Sequence, residues 1–112
     1  MSNFIPQSQT VVLVNRLGMH ARAAARFTQL SEQFNVTTTV EKDGFTASAD
    51  SIMELMMLTA SLGDTIRITT LGPESTTALH ALVELVQKGF GEEVITSNTQ
   101  KPGEVPVNNI SL

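Results

Sequence analysis

The spacing of apolar residues changes period several times along the chain, and each change marks an element. Gln9–Val14 reads as a first strand, built on the run Val11-Val12-Leu13-Val14. From Ala21 to about Gln33 the spacing becomes helical. Ala24, Phe27, Leu30 and Phe34 fall on one face, and Arg22, Arg26, Gln29 and Gln33 on the other. Val36 to Lys42 alternates Val36, Thr38 and Val40 against Thr37, Thr39 and Glu41, the pattern of a half-buried strand. Asp43-Gly44 signals a hairpin turn, and Phe45 to Ala49 returns as a third strand. Ser51-Ile52-Met53-Glu54 matches a capping box and opens a short helix expected to end near Ser61-Leu62-Gly63. Thr65–Leu71 is a fourth strand with Ile66 and Ile68 inward, broken by Gly72-Pro73. A third helix starts at Ser75 or Thr76 and buries Leu79, Leu82, Val83 and Val86. The order βαββαβα with one hairpin predicts an α+β open-faced sandwich, a four-stranded antiparallel sheet with three helices on one face. Residues 1–93 form the domain, with a core over about 9–93. The tail, 94–112, is rich in Asn, Thr, Pro and Gly, and its apolar residues Ile95, Val105, Val107 and Ile110 are scattered. It is expected either to be flexible or to lie extended on the body.

The junction between the first strand and the first helix carries the candidate chemistry. Asn15-Arg16-Leu17-Gly18 is a turn, and Met19-His20-Ala21-Arg22-Ala23-Ala24-Ala25 enters the helix, so His20 sits at or next to the N-cap. Unpaired backbone N–H groups of the first helical turn, those of Ala21 and Arg22, point toward such a position. The positive end of the helix dipole favours an anion there. Arg22 and Arg26, four apart, add cationic side chains on one face. An imidazole beside an anion pocket is the arrangement of a histidine that takes up and passes on a phosphoryl group.

Composition narrows the alternatives. The chain has 112 residues, 41% of them apolar and 16% charged, which fits one folded domain with a modest core. Its formal charge is −4 and its seven Lys and Arg form no basic run, so nucleic acid is not an expected partner. Without cysteine there is no disulfide framework, thiolate metal site or cysteine nucleophile. Two separated histidines with no carboxylate pattern do not suggest a metal site, and His80 reads as a surface residue of the third helix. No cofactor is called for. The first ten residues lack the basic and apolar regions of a signal peptide. No apolar run approaches the ~20 residues of a membrane span. A cytoplasmic protein without a membrane partner is the expectation.

The stretch from Asn15 to Phe27, the helix start Asp50-Ser51-Ile52-Met53 and the element order together resemble HPr, the small histidine phosphocarrier of the bacterial phosphoenolpyruvate-dependent phosphotransferase system. The similarity covers roughly residues 9 to 93. Within the family the chain looks most like NPr, the carrier of the nitrogen-related branch. His20-Ala-Arg-Ala-Ala-Ala25, Ser51-Ile-Met-Glu-Leu-Met-Met-Leu58 and Gly89-Phe90-Gly91-Glu92-Glu93 carry that likeness. Sugar-branch carriers usually have proline where this chain has Ala23.

The resemblance implies a division of roles. His20 accepts the phosphoryl group, on Nδ1, and Arg22 with the N–H groups of Ala21 and Arg22 stabilises it. The second helix and the His20 turn form one docking face, with Met19, Ile52, Met53 and Met56 as contacts. The apolar residues of that short helix cover more than one face, so not all can be buried, and exposed methionines suit several partners. Ser51 caps the helix, and in some relatives the matching serine is a regulatory phosphorylation site. The expected partners are an Enzyme I-type donor and a IIA-type acceptor. The protein would be a monomer and a covalent intermediate rather than an enzyme with its own turnover. The alternatives are a sugar-branch HPr, an HPr-like regulator that docks without phosphate, and a small acyl-phosphate hydrolase, which needs no histidine.

Overall fold

The computed structural model describes residues 4–92. The elements are β1 (Gln7–Val12), α1 (Ala21–Ser31), β2 (Thr37–Lys42), β3 (Phe45–Ser48), α2 (Ile52–Met57), β4 (Thr65–Leu71) and α3 (Ser75–Gln87), followed by a 3₁₀ turn over Gly89–Gly91. The four strands run β1-β4-β2-β3, every neighbour antiparallel, and the three helices pack on one face as the element order predicts. The proposed tail lies outside the described residues.

Register follows from the alternation in the strands. Val11 pairs with Ile66, and Ile68 lies between Gln9 and Val40, whose other neighbour is Ala47. Val11, Val40, Ala47, Ile66 and Ile68 therefore line one buried face, against which Phe27, Leu55, Leu82, Val86 and Phe90 pack. The hairpin signal at Asp43-Gly44 is realised with φ of +52° and +86°, the pair of positive values that a two-residue turn matching strand twist requires. Two polar pairs are sealed in the core: Thr28 donates to the Ala49 carbonyl (2.7 Å) and Ser31 to the Thr38 hydroxyl (2.9 Å). Each satisfies a group that would otherwise be buried without a partner.

Several boundaries differ from the periodic reading. β1 spans Gln7–Val12 rather than Gln9–Val14, because its partner β4 runs to Leu71 at one end and starts at Thr65 at the other. Leu13 is still held by the chain, donating to the Asp64 carbonyl and accepting from Gly63 (both 2.9 Å). α1 stops at Ser31, and Phe34 is only half-buried beyond it. β2 begins at Thr37, and β3 ends at Ser48, although Ala49 stays buried and donates to the Thr38 carbonyl. α2 is shorter than expected. Ser51 caps it through Glu54 N–H (3.1 Å) and Glu54 reaches back to Ser48 N–H (2.9 Å), but Thr59 at φ +51° ends the helical path well before Gly63.

Candidate functional site

The site is assembled on the turn between β1 and α1. Asn15 is fully buried and does two things with one amide: Nδ2 donates to the Gly18 carbonyl (2.8 Å) and to Oε1 of Glu92 (3.0 Å). The backbone closes the same turn, Gly18 N–H donating to the Asn15 carbonyl (3.2 Å). Met19 N–H then donates to the Ala60 carbonyl (2.9 Å), which ties the turn to the segment after α2. Among the described residues Asn15 Oδ1 has no partner. Flipping the amide would aim that oxygen at a carbonyl and a carboxylate, so the orientation is fixed by its neighbours and the orphaned acceptor is its cost.

His20 follows as the N-cap of α1, in extended backbone (φ −79°, ψ −179°). Its ring has a different partner at each nitrogen. Nδ1 accepts from Arg22 N–H at 3.3 Å, and Nε2 lies 2.6 Å from Oε2 of Glu92. An amide N–H can only donate and a carboxylate can only accept. Nε2 therefore carries the proton and Nδ1 keeps its lone pair, which selects one tautomer of the neutral ring. The side chains of His20 and Glu92 retain 22% and 16% exposure, enough for a reactant to reach the ring from solvent.

Glu92 is part-buried and held by two hydrogen bonds. Burial pushes its carboxyl up, but hydrogen bonds from Asn15 and His20, with the nearby charge of Arg22, outweigh that and hold it below the usual 4.5. A carboxylate with a depressed folded value contributes stability that is present above the unfolded value and lost as pH falls through the folded one. The stability advantage of wild type over Glu92→Gln should thus be full near neutrality and shrink as pH drops below about 4.5. Urea denaturation of both proteins from pH 7 to pH 3 checks this; a constant difference would remove the carboxylate from the balance.

Of the residues singled out from sequence, the structure brings His20 together with the N–H of Arg22. The Arg22 side chain is exposed and acts on Glu92 through its charge. Ile52, Met53, Met56 and Met57 are exposed, Met53 and Met57 at 72% and 73%, and with Thr59 they line an apolar groove of about 580 Å³. Met19 is a correction. At 3% exposure it is a core residue, because its amide is pulled onto Ala60 and its side chain goes inward with the turn, so it offers no docking contact. In the sequence Asn15 stands only as part of a turn and Glu92 only as part of a likeness, because a lone Asn at a strand end carries no signal of what lies 77 residues away. His80 is exposed on α3.

Known proteins settle the lineage. A family model described as the PTS HPr component phosphorylation site matches residues 7–88. The chain belongs to the HPr family. Among its curated relatives, phosphocarrier protein HPr of Cupriavidus necator is 41% identical over 80 residues, 71% of this chain and 90% of that one. Phosphocarrier protein NPr of Escherichia coli K12 is 37% identical over 86 residues, 76% of this chain and 96% of that one. The crystal structure of HPr-C-His from Thermoanaerobacter tengcongensis superposes with a TM-score of 0.75 at 38% identity, over 79% of this chain and 99% of that one. An HPr from Bacillus anthracis gives 0.70 at 39% identity, over 73% and 98%. The chain is thus an HPr-type phosphocarrier of the phosphotransferase system by family. Among the described residues no helix is long and apolar enough to cross a membrane.

Proposed function

We propose that this HPr-type chain carries its phosphoryl group on Nδ1 of His20, taking it from an Enzyme I-type donor and giving it to a IIA-type protein in the cytoplasm. One observation supports the atom: the Nε2–H···Glu92 pair leaves Nδ1 unprotonated, its electron pair met only by the long bond from Arg22 N–H. That pair attacks phosphorus while the bond from phosphorus to the donor breaks, its electrons leaving with the donor. Nε2 keeps its proton, so the ring becomes cationic as the bond forms, and the Glu92 carboxylate faces that charge. Arg22 N–H, released from Nδ1, would donate to a phosphoryl oxygen, with Ala21 N–H and the Arg22 guanidinium as further donors. A cationic phosphoimidazole is also a good donor, as a carrier requires. Ile52, Met53 and Met56, exposed beside the segment that holds the His20 turn, are our choice for partner contact. Ser51 combines its cap with a half-buried side chain at the start of that face, where a phosphate would alter docking. We read the chain as belonging to the nitrogen-related branch, from Ala23 and the Gly89–Glu93 segment, and as a monomer, because a carrier must expose one face to its partners. The HPr-named relatives, at up to 41% identity, favour the second reading, a sugar-branch carrier.

The test is intact mass after incubation with phosphoenolpyruvate and a nitrogen-branch or a sugar-branch Enzyme I. A single phosphoryl adduct that is lost in acid and survives base is expected with the nitrogen-branch enzyme. An adduct only with the sugar-branch enzyme would move the protein to the other branch. No adduct with either would leave docking without phosphate as the function.

A further inference from the structure

We propose that Arg26 is a positioning residue for His20, acting through the turn that delivers Glu92; its effect on transfer rests on the reading of His20 as phosphoryl acceptor. Glu92 reaches the imidazole only because the chain reverses after α3, through Gly89, Phe90 and Gly91 at φ +66°, +56° and +80°. Phe90 is the costly one, a residue with a Cβ held in the left-handed region. The turn's own backbone bonds are few: Gly91 N–H to Lys88 (3.2 Å) and Glu92 N–H to Gly89 (2.8 Å).

Two further holds come from outside the turn. The Phe90 ring is 1% exposed in the core, and the Phe90 carbonyl accepts from the Arg26 guanidinium. A Cβ built on Gly91 would lie 3.3 Å from Arg26 Nη1, so the guanidinium rests along the backbone just before Glu92. Arg26 forms no ion pair among the described residues, although Glu84 and Lys88 line the same groove between α1 and α3. Its charge is directed at a main-chain carbonyl 64 residues away. Arg26 also stands on α1, the helix that His20 caps. The clamp therefore fastens the carboxylate's backbone to the same rigid element as the imidazole, and the Nε2–H···Oε2 pair is held from both sides.

The experiment follows the His20 ring proton by NMR in wild type, Arg26→Gln, Arg26→Lys and Glu92→Gln, alongside the rate of phosphoryl acceptance. Arg26 is exposed, so the variants should fold, and a backbone amide spectrum checks that they do. A Gly91→Ala variant, strained at φ +80° and with its Cβ against the guanidinium, loosens the turn itself while Arg26 is kept. Wild type should show a far-downfield, slowly exchanging Nε2–H. It should be lost in Glu92→Gln, in Gly91→Ala and in Arg26→Gln, whose short neutral amide falls back from the carbonyl, and retained in Arg26→Lys, whose longer side chain brings a charged donor to it. Acceptance should slow by about tenfold in Arg26→Gln, as a misplaced acceptor group would give. The double variant should be no slower than Glu92→Gln alone within about twofold, because the two residues act in series. An Nε2–H signal absent from wild type, or unchanged in Arg26→Gln, would overturn the proposal, and so would additive rate losses. If no protein accepts a phosphoryl group but the ring proton responds as described, the positioning role stands and the phosphocarrier reading of His20 falls.

Discussion

His20→Ala should reduce phosphoryl labelling to nothing while leaving a folded protein. The ring is the nucleophile in the proposed mechanism, and no other described side chain near the turn offers a neutral nitrogen lone pair. Folding should lose little. The substitution removes an N-cap contact to Arg22 N–H and a part-exposed pair with Glu92, together about 1 to 2 kcal/mol. Glu92 keeps its bond from Asn15 and access to water, so no charge is stranded. His80→Ala is the matched control: exposed on α3, it should label like wild type and melt like it. Intact mass and thermal melts of the three proteins decide the matter. Labelling that survives in His20→Ala but fails in His80→Ala would transfer the role to the other histidine.

Gly18→Ala should be more damaging than the same change at Gly44, Gly63, Gly72 or Gly91. A Cβ at Gly18 would sit 2.4 Å from the Ala60 carbonyl oxygen and 2.8 Å from Ser61 Cα, both backbone atoms, at a φ of +62°. The left-handed conformation alone costs about 1 kcal/mol for a residue with a Cβ. The clash adds to it, because neither strand of backbone can yield without breaking the Met19 N–H bond to Ala60 and the Asn15 bond to Gly18. Together these predict a loss of about 3 to 5 kcal/mol, a large share of the 5–15 that a small domain has. Phosphoryl acceptance should fall as well, since His20 is two residues further along the displaced turn. Gly44→Ala isolates the conformational part: φ is +86° there but nothing lies within 4 Å, so about 1 kcal/mol is expected. Equal urea midpoints for the two variants would show that the approach to Ala60 is not what Gly18 is for.

The docking face shows how far burial can be read in advance. The composition of α2 required some of its apolar residues to be exposed, and Met53 and Met57 are. Which residues those would be depended on packing: Leu55 and Leu58 went to the core, and so did Met19, although it adjoins the histidine. A residue beside a reactive group in sequence need not share its surface.

By itself the sequence determined the elements and their order, the capped start of α2, the Asp43-Gly44 hairpin and the place of His20 at a helix start. All of these rest on contacts within a few residues, where spacing, turn chemistry and capping are written locally. Tertiary structure alone decided where α2 stops, which way Met19 faces and which nitrogen of His20 is free. The last of these depends on a carboxylate 72 residues away, brought to the ring by a left-handed turn, an arginine on α1 and a buried asparagine. Asn15 and Arg26 belong to one stretch, but the turn stands far along the chain from both, and no local pattern carries their meeting. It comes from the packing of α3 and its following turn against α1 and the sheet.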